Sequence, residues 1–299
     1  MSTAIAHRPS GLGAWFLAAR PKTLVAGVVP VAVGSAVALR DGCFQPLVAL
    51  AALVGALLLQ IGTNLANDYY DFKRGADTED RLGPPRATQQ GWLEPGAVLA
   101  GALVCFGAAF LIGIYLVSVG GLVILILGLA SIAAGLAYTA GPFPLAYKGL
   151  GDLFVLAFFG FVAVGGTYFV QAHRVSALAL WASLPVGLLG VALLAVNNTR
   201  DEKTDAAAGK RTLVVRLGRG FGRAEWLGCV VGAALAPVGL FLSGQASPWV
   251  LLPLVSLPLA VGPGRLVFTA EGAVLNHALA GTARLQLVFG ILFAAGLSR

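Results

Sequence analysis

The chain has 299 residues, of which 58% are hydrophobic and only 11% are charged, and its mean hydropathy is +0.86. These values exclude an ordinary water-soluble domain and a disordered chain, and they predict a polytopic membrane protein. The 20 Lys and Arg exceed the 13 Asp and Glu, which gives a net charge of +7. The three cysteines are widely separated, so neither a disulfide framework nor a thiolate metal site is expected.

Runs of about 20 mostly apolar residues mark helices that can cross a lipid bilayer. The sequence predicts nine such helices, which cover residues 22–39, 46–66, 95–118, 120–139, 151–171, 176–197, 223–243, 248–264 and 282–297. Pro253, Pro258 and Pro263 interrupt the eighth helix. No signal peptide is evident before the first one. We therefore expect an all-α protein with a single transmembrane domain over residues 1–299.

The charged residues are distributed unequally between the two ends of the predicted helices. With the N-terminus on the inner side, 17 of the 20 Lys and Arg fall on that side, together with 12 of the 13 Asp and Glu. The positive-inside rule predicts that this side faces the cytoplasm. The expected location is therefore the bacterial cytoplasmic (inner) membrane, with membrane lipid as a partner and the functional site on the cytoplasmic side.

Two acidic clusters stand out from the apolar chain, and each repeats Asn and Asp at helical spacing. The first acidic cluster consists of Asn67, Asp68, Asp71 and Asp77, and the second acidic cluster of Asn197, Asp201 and Asp205. Carboxylates beside long apolar segments are costly unless they are paired, hydrated or bound to a metal. Such rows of oxygen ligands suit Mg²⁺, which prefers a few carboxylates together with substrate phosphates. The clusters therefore predict a Mg²⁺ site for a diphosphate.

Both clusters lie at the inner ends of predicted helices that are four helices apart in the chain. This spacing predicts a duplicated four-helix unit, over about 20–140 and 150–265, followed by a last helix. A solvated helix end is the alternative interpretation of a single cluster. The repetition of the Asn/Asp stripe favours one shared site.

Basic residues follow both clusters and complete the predicted site. Mg²⁺ ions and Arg or Lys donors stabilise the negative charge that develops on a departing pyrophosphate. The predicted diphosphate-binding residues are Lys73, Arg74, Arg81, Tyr138, Lys148, Lys210 and Arg211. Lys148, the only base in its short loop, is also predicted to act in catalysis with Asp71 and Asp201. Ordinary topogenic charges are expected at Arg86, Arg216, Arg219 and Arg223.

The sequence Arg20-Pro21-Lys22-Thr23 comes directly before the first predicted helix. Two interpretations of its cations stay open. Arg20 and Lys22 either anchor the helix among lipid headgroups or, together with Asn64, bind an anionic aromatic acceptor. The fifth predicted helix is rich in aromatic side chains, namely Phe154, Phe158, Phe159, Tyr168 and Phe169. Such side chains are usual in a core or lipid face, and they would also suit a prenyl chain and its carbocation.

The chain closely resembles the UbiA superfamily of intramembrane aromatic prenyltransferases. The superfamily's first motif, NDxxDxxxxxD, is matched by Asn67, Asp68, Asp71 and Asp77, and its second motif, DxxxD, by Asp201 and Asp205. Within the superfamily the chain resembles the subgroup that uses 1,4-dihydroxy-2-naphthoate. The segments that carry this closer resemblance are Arg20–Thr23, Asp80–Arg86, Tyr138–Pro142, Tyr147–Asp152 and Gly166–Tyr168.

The resemblance implies nine helices around a central cavity and two Mg²⁺ ions that bridge both motifs and the diphosphate. It also implies a lateral opening to lipid for the prenyl tail. The implied reaction is transfer of a polyprenyl group from a polyprenyl diphosphate to 1,4-dihydroxy-2-naphthoate, with loss of pyrophosphate and CO₂. Asp152 departs from the glutamate of many relatives but keeps the acidic charge.

Two alternatives to this reaction stay open. One is a prenyltransferase with another acceptor, such as 4-hydroxybenzoate, homogentisate, haem or a chlorophyllide. The other is a secondary transporter, for which intramembrane acids and a repeat are also typical. No nucleic-acid partner is expected. Neither a P-loop nor another nucleotide-binding fingerprint occurs in the sequence.

Overall fold

The computed structural model describes residue 9, residues 11–76 and residues 81–299. Within these residues the chain is helical and contains no β-strand, which confirms the predicted all-α class. The last acid of the first acidic cluster, Asp77, lies outside the described residues, as does Asp80.

The long helices follow the apolar segments of the sequence. The α-helices of the described chain are α1 (Gly11–Ala18), α2 (Val25–Arg40), α3 (Pro46–Lys73), α4 (Pro95–Ala137), α5 (Gly151–Val155), α6 (Gly166–Ala172), α7 (Ala177–Ala207), α8 (Leu213–Leu217), α9 (Arg219–Leu242), α10 (Val261–Thr269) and α11 (Leu275–Leu297). Short 3₁₀ helices cover Pro21–Thr23, Leu145–Lys148, Pro248–Ala260 and Gly272–Val274. A π-helix covers Leu156–Gly165 and joins α5 to α6.

Seven helical stretches of the described chain are long and apolar enough to cross a membrane. They are Pro46–Lys73, Pro95–Ala137, Gly151–Ala172, Ala177–Ala207, Arg219–Leu242, Pro248–Thr269 and Gly272–Leu297. An eighth is added if the pair Gly11–Thr23 and Val25–Arg40, which is bent by 50°, forms one span. Apolar helices of this number and length make the chain an integral membrane protein.

The third and fourth predicted helices form the single element α4. It contains 43 residues, and a straight helix of that length would extend roughly 65 Å, about twice the hydrocarbon thickness of a bilayer. Gly121 interrupts α4 with φ 69° and ψ −157°. Glycine adopts this left-handed φ without the steric cost of a Cβ atom, so the chain kinks at this residue.

Prolines shape the eighth predicted helix. Pro253 and Pro258 lie inside the 3₁₀ helix Pro248–Ala260, which continues into α10. Proline has no backbone N–H and its ring collides with the preceding turn, so it disfavours a continuous α-helix there. This chemistry explains why the segment is apolar enough to span a membrane but is not α-helical throughout.

Two groups of buried side chains hold the helices together. The larger group lies mainly between α2, α7, α9 and α11 and includes Leu189 and Phe289. The smaller group lies between α1, α3 and α4 and includes Phe106. Glycines bring helices into close contact, since a Cβ atom at Gly34 would lie 2.5 Å from the carbonyl oxygen of Val164. Close backbone approach of this kind favours helix association in lipid.

Candidate active site

The two acidic clusters meet in one polar cavity with a volume of about 110 Å³. The first cluster lies near the C-terminal end of α3 and the second near the C-terminal end of α7. Their side chains in the cavity wall are Asn67, Asp71, Asn197, Asp201 and Asp205. Five of the six predicted metal-binding residues therefore come together, although more than 120 residues separate the clusters in the chain.

Asp71 is buried and accepts hydrogen bonds from three side chains. Its Oδ2 atom lies 2.7 Å from Arg86 Nη2 and 3.3 Å from Lys210 Nζ, and its Oδ1 atom lies 2.9 Å from the Tyr147 hydroxyl. Two cations and a phenol thus compensate for removing this carboxylate from water. Lys210 Nζ also lies 3.7 Å from Asp205 Oδ1, so one ammonium group links the two clusters.

Asp68 faces away from the polar cavity. Its carboxylate accepts hydrogen bonds from the backbone N–H groups of Ala87 (3.0 Å) and Thr88 (3.4 Å), and also from the Thr88 hydroxyl. These bonds hold the loop of residues 81–94, which connects to α4 (the 81–94 loop). The structure therefore gives Asp68 a role in positioning this loop and does not bring it to the other predicted metal ligands.

Arg200 organises the second acidic cluster. Its guanidinium group donates to both oxygens of Asp201, at 2.8 and 2.5 Å, and to Asn197 Oδ1 at 2.8 Å. A fourth bond, of 2.7 Å, goes to Asn276 Oδ1 on α11. The Asn276 amide in turn donates to the Leu82 carbonyl at 2.8 Å, which ties the 81–94 loop to the second cluster. The guanidinium side chain is 1% exposed, so this arrangement is well shielded from water.

The predicted basic residues divide into two sets. Arg20, Arg81 and Lys210 line the polar cavity, and Tyr138 lines it as well. The remaining bases are exposed and lie outside its wall, namely Lys22, Lys73, Arg74, Lys148 and Arg211. Three of these bases, Lys73, Arg74 and Lys148, contact neighbouring aromatic rings.

Arg74 and Lys148 illustrate the second set. Arg74 donates to the Gly141 carbonyl at 2.6 Å and lies over the Tyr147 ring, 5.0 Å from its centroid. The Lys148 ammonium lies 5.2 Å from the centroid of the Phe143 ring. Neither cation is part of the polar cavity wall, so the structure does not bring Lys148 to the other predicted diphosphate-binding residues, Arg81, Tyr138 and Lys210.

Asn64 holds the turn that carries Arg20. Its amide donates to the Ala19 carbonyl at 3.0 Å and to the Thr23 hydroxyl at 2.9 Å. The Thr23 hydroxyl and backbone N–H both donate to the Arg20 carbonyl at 2.9 Å. Arg20 has a left-handed backbone with φ 54°, so the turn is tight. Asn64 therefore positions the turn, and Arg20 is the member of the predicted acceptor-binding set that reaches the cavity.

Tyr147 stays protonated where it contacts Asp71. Burial and the nearby Asp71 carboxylate raise the pKa of Tyr147 well above its usual range, because a phenolate there would lose hydration and meet a like charge. The hydroxyl is consequently a lasting hydrogen-bond donor to Asp71.

A second cavity, of about 340 Å³, lies beside the first and is mostly apolar. Its wall comes from α2, α3, α4 and the segment from α5 to α6, and it includes Phe154, Phe158 and Phe159. Phe154 and Phe158 stack with ring centroids 5.7 Å apart. The aromatic residue Tyr168 is not part of this wall; its hydroxyl donates to Asp41 at 2.6 Å. Tyr138 borders both cavities and marks where they meet.

The oxygen atoms of the polar cavity fit Mg²⁺. Carboxylates and amide oxygens are the hard ligands that this ion prefers. Among the described residues, no three His, Cys, Asp or Glu side chains converge closely enough to form a metal site by themselves. Mg²⁺ needs no such group when substrate phosphates supply further ligands. Three cations, Arg86, Arg200 and Lys210, now balance the carboxylates that a bound ion would contact.

Three residues of the site carry no role in the sequence predictions. The expectation of an ordinary topogenic charge at Arg86 is wrong, because its side chain is 6% exposed and bonded to Asp71. Arg200 lies within the second acidic cluster, directly before Asp201, and its helical spacing of three residues from Asn197 is a signal that the sequence contains. Asn276 has no such signal, because only the packing of α11 against α7 brings it to Arg200.

Comparison with known proteins places the chain among membrane prenyltransferases. The model of the UbiA prenyltransferase family matches residues 27–293. The chain is 38% identical over 292 residues to the 1,4-dihydroxy-2-naphthoate octaprenyltransferase of Escherichia coli, covering 95% of this chain and 94% of that protein. It is 37% identical over 285 residues to the Mycobacterium tuberculosis protein of the same name, covering 95% of this chain and 96% of that protein.

Solved structures share the fold at low sequence identity. The apo structure of a UbiA homolog from Aeropyrum pernix has a TM-score of 0.71 at 15% identity, over 93% of this chain and 97% of that one. A UbiA homolog from Archaeoglobus fulgidus bound to GPP and Mg²⁺ has a TM-score of 0.63 at 15% identity, over 96% and 100% of the two chains. From the family match and the identity with these relatives, the chain belongs to the UbiA prenyltransferase family.

Proposed function

We propose that the chain transfers a polyprenyl group from a polyprenyl diphosphate to 1,4-dihydroxy-2-naphthoate, with release of pyrophosphate and CO₂. The observation that carries this proposal is the meeting of a polar, cation-lined Asn/Asp cavity with an apolar cavity at Tyr138. A diphosphate headgroup and a prenyl tail need this pair of environments. The naphthoate acceptor is supported by the names of the relatives at 38% and 37% identity.

The polar cavity suits the diphosphate. Asp71, Asp201 and Asp205, with Asn67 and Asn197, would hold Mg²⁺. The Archaeoglobus fulgidus homolog, which was solved bound to GPP and Mg²⁺, supports a divalent metal in a protein of this fold. The bound ion would neutralise the diphosphate and favour its departure. Lys210 and Arg81 line the same cavity, and their donors would stabilise the charge that grows on the leaving pyrophosphate.

The apolar cavity suits the prenyl chain and protects its allylic cation. Exclusion of water matters, because water would capture the cation before the acceptor does. The stacked rings of Phe154 and Phe158 can stabilise positive charge through their π faces. The wall of this cavity therefore supplies both the apolar surface and the shielding that the reaction requires.

The acceptor would lie between the two cavities, with its carboxylate toward Arg20. Arg20 is fixed on its turn by Asn64 and lines the polar cavity, while the exposed Lys22 adds positive charge nearby. The C1–O bond to the diphosphate breaks first, and the ring carbon that carries the carboxylate then bonds to C1 of the resulting allylic cation. CO₂ then leaves, and the electron pair of its bond restores the aromatic ring.

We propose nine membrane crossings for this chain. The 43-residue α4 is too long for one crossing and is interrupted at Gly121, so it supplies two. The bent pair at the N-terminus supplies one more. The distribution of Lys and Arg supports a polar cavity that faces the cytoplasm of a bacterial inner membrane. A membrane-impermeant maleimide should then label Cys43 from outside intact spheroplasts, and labelling only after lysis would contradict this orientation.

One product assay tests the proposed reaction. The protein in proteoliposomes is incubated with a radiolabelled polyprenyl diphosphate, MgCl₂ and, in separate reactions, 1,4-dihydroxy-2-naphthoate, 4-hydroxybenzoate or homogentisate. Chromatography is expected to give a prenylated, decarboxylated product with the naphthoate. Product with another acceptor alone would contradict the naphthoate assignment. Flux of a substrate across the membrane without any product would favour a transporter.

A further inference from the structure

Two polar residues of the apolar cavity have no role in the proposed reaction so far. Gln60 and Thr63 of α3 both line this cavity. Residues three, four and seven positions apart share one helix face, so Gln60 and Thr63 continue the stripe that carries Asn67 and Asp71. The polar face of α3 therefore extends from the polar cavity into the apolar one.

The Thr63 hydroxyl is available to a ligand. Within the described ranges, 11–76 and 81–299, it has no hydrogen-bond partner. Gly135 of α4 also lines the cavity, and a Cβ atom there would lie 2.6 Å from Thr63 Oγ1. The lack of a Cβ atom at this position lets the hydroxyl pack against α4, and Thr63 is half-buried where it lines the cavity.

The Gln60 amide is only weakly engaged. Its Nε2 atom lies 3.5 Å from the Thr23 hydroxyl and 3.4 Å from Asn64 Oδ1, both at the long limit for a hydrogen bond. In the part of the chain that the structure covers, no group donates to its Oε1 atom. These contacts place Gln60 beside the turn that carries Arg20.

Unpaired amide and hydroxyl groups are unfavourable in an apolar surrounding. A cavity that held only a prenyl chain would be better lined by apolar side chains at positions 60 and 63. The position of this pair therefore indicates a ligand that brings its own polar group to this end of the cavity.

We propose that Gln60 and Thr63 bind the ring hydroxyl of the aromatic acceptor that lies farthest from its carboxylate. This inference rests on the proposed function, in which Arg20 receives the carboxylate. In 1,4-dihydroxy-2-naphthoate the 4-hydroxyl is this distant group. The pair then makes acceptor choice depend on that hydroxyl, because a ring without it leaves Gln60 Oε1 and the Thr63 hydroxyl without a partner.

The test compares two ligands that differ only in this hydroxyl. With farnesyl diphosphate and MgCl₂, KM is measured for 1,4-dihydroxy-2-naphthoate, and 1-hydroxy-2-naphthoate is measured as a competitive inhibitor. Thr63→Val and Gln60→Leu are each expected to raise KM about 3- to 10-fold, the effect of one lost hydrogen bond. The inhibition constant of 1-hydroxy-2-naphthoate should change less than about twofold, because it lacks the hydroxyl that the pair binds.

Controls separate this effect from a general disturbance. Thr63→Ser keeps the hydroxyl and should retain the wild-type KM. Thr269→Val removes a hydroxyl that is bonded to the Arg265 carbonyl at 2.7 Å, far along the chain on the exposed part of α10, and should change neither constant. Equal shifts of both constants in Thr63→Val and Gln60→Leu, or no shift in either, would overturn the inference. Absence of product from the wild-type protein would instead overturn the proposed function, and this inference with it.

Discussion

The two acidic clusters have similar sequences but are held by different partners. In the first cluster, Asp68 and Asp71 are bonded to the 81–94 loop through Ala87, Thr88 and Arg86. In the second cluster, Asn197 and Asp201 are bonded to Arg200 of the same helix. The first arrangement depends on a loop that must fold onto α3, while the second is largely a local property of α7.

This difference indicates how the site is assembled. Helical geometry places Asn197, Arg200 and Asp201 together, so the second cluster is preorganised as soon as α7 forms. The first cluster becomes complete only when the 81–94 loop is in position. Lys210 and Asn276 connect the two arrangements, since Lys210 contacts Asp71 and Asp205 and Asn276 contacts Arg200 and Leu82.

The largest expected effect comes from removing one acid of either cluster. Asp71→Ala or Asp201→Ala should each lower kcat by about a thousandfold or more, because each removes a ligand for the Mg²⁺ that stabilises the leaving diphosphate. Both variants should remain folded in membranes, as judged by thermal unfolding in detergent. Wild-type turnover by either purified variant would show that the cluster to which the removed acid belongs is not required for the reaction.

A pair of Arg→Lys substitutions separates the two clusters. Arg200→Lys removes a guanidinium group that makes four hydrogen bonds, and an ammonium group cannot make all of them. We therefore expect kcat/KM to fall about 100-fold. Arg86→Lys should cost only about tenfold, because Lys210 still compensates Asp71. The measurement is kcat/KM for the prenyl diphosphate. A larger loss of kcat/KM in Arg86→Lys than in Arg200→Lys would contradict this expectation.

Asn276→Leu should uncouple the 81–94 loop from the second cluster. Loss of the bonds to Leu82 and Arg200 is expected to raise KM for the prenyl diphosphate about 5- to 10-fold. Limited trypsin digestion should also cut after Arg81 or Arg86 sooner than in the wild type. His277→Ala, at the exposed neighbouring position, is the matched control. Unchanged KM and unchanged digestion in Asn276→Leu would show that this link does not position the loop.

The smallest expected effect is at Tyr147. Tyr147→Phe removes one 2.9 Å hydrogen bond to Asp71 and should lower kcat/KM about fivefold. Since its pKa is raised, the phenol is neutral in the folded and unfolded states below about pH 10. Its contribution to stability is therefore constant below that pH and is lost only as the pH rises further. The pH–rate profiles of wild type and variant should be parallel from pH 6 to 9. An alkaline limb in this range that disappears in Tyr147→Phe would contradict the assignment.

Much of the fold could be predicted from the sequence, because lipid restricts a spanning chain to helices and apolar runs mark their positions. The second acidic cluster could also be predicted, because its residues lie on one helix at helical spacing. Asp68 shows the limit of this argument. Its position in the first motif predicts a metal ligand, yet its side chain faces the 81–94 loop.

The individual contacts of side chains in the loops could not be predicted. Arg86 ends the segment Asp80–Arg86 that resembles the naphthoate subgroup, but its charge and spacing do not distinguish it from a topogenic cation. Its pairing with Asp71 depends on how the loop folds back. The exposed positions of Lys73, Lys148 and Arg211 depend in the same way on loop conformation. Helix periodicity predicts which residues share one face of a helix. It does not predict which residues of other segments they contact, because tertiary packing determines those contacts.

The claim that both clusters form one metal–diphosphate site is tested most directly by metal binding. Electron paramagnetic resonance of Mn²⁺, a substitute for Mg²⁺, is recorded with the purified full-length protein in the presence of pyrophosphate. We expect the wild type to bind Mn²⁺, and Asp71→Ala and Asp201→Ala each to weaken binding by more than about tenfold. Wild-type Mn²⁺ affinity in either variant would show that the cluster it belongs to does not take part in the site.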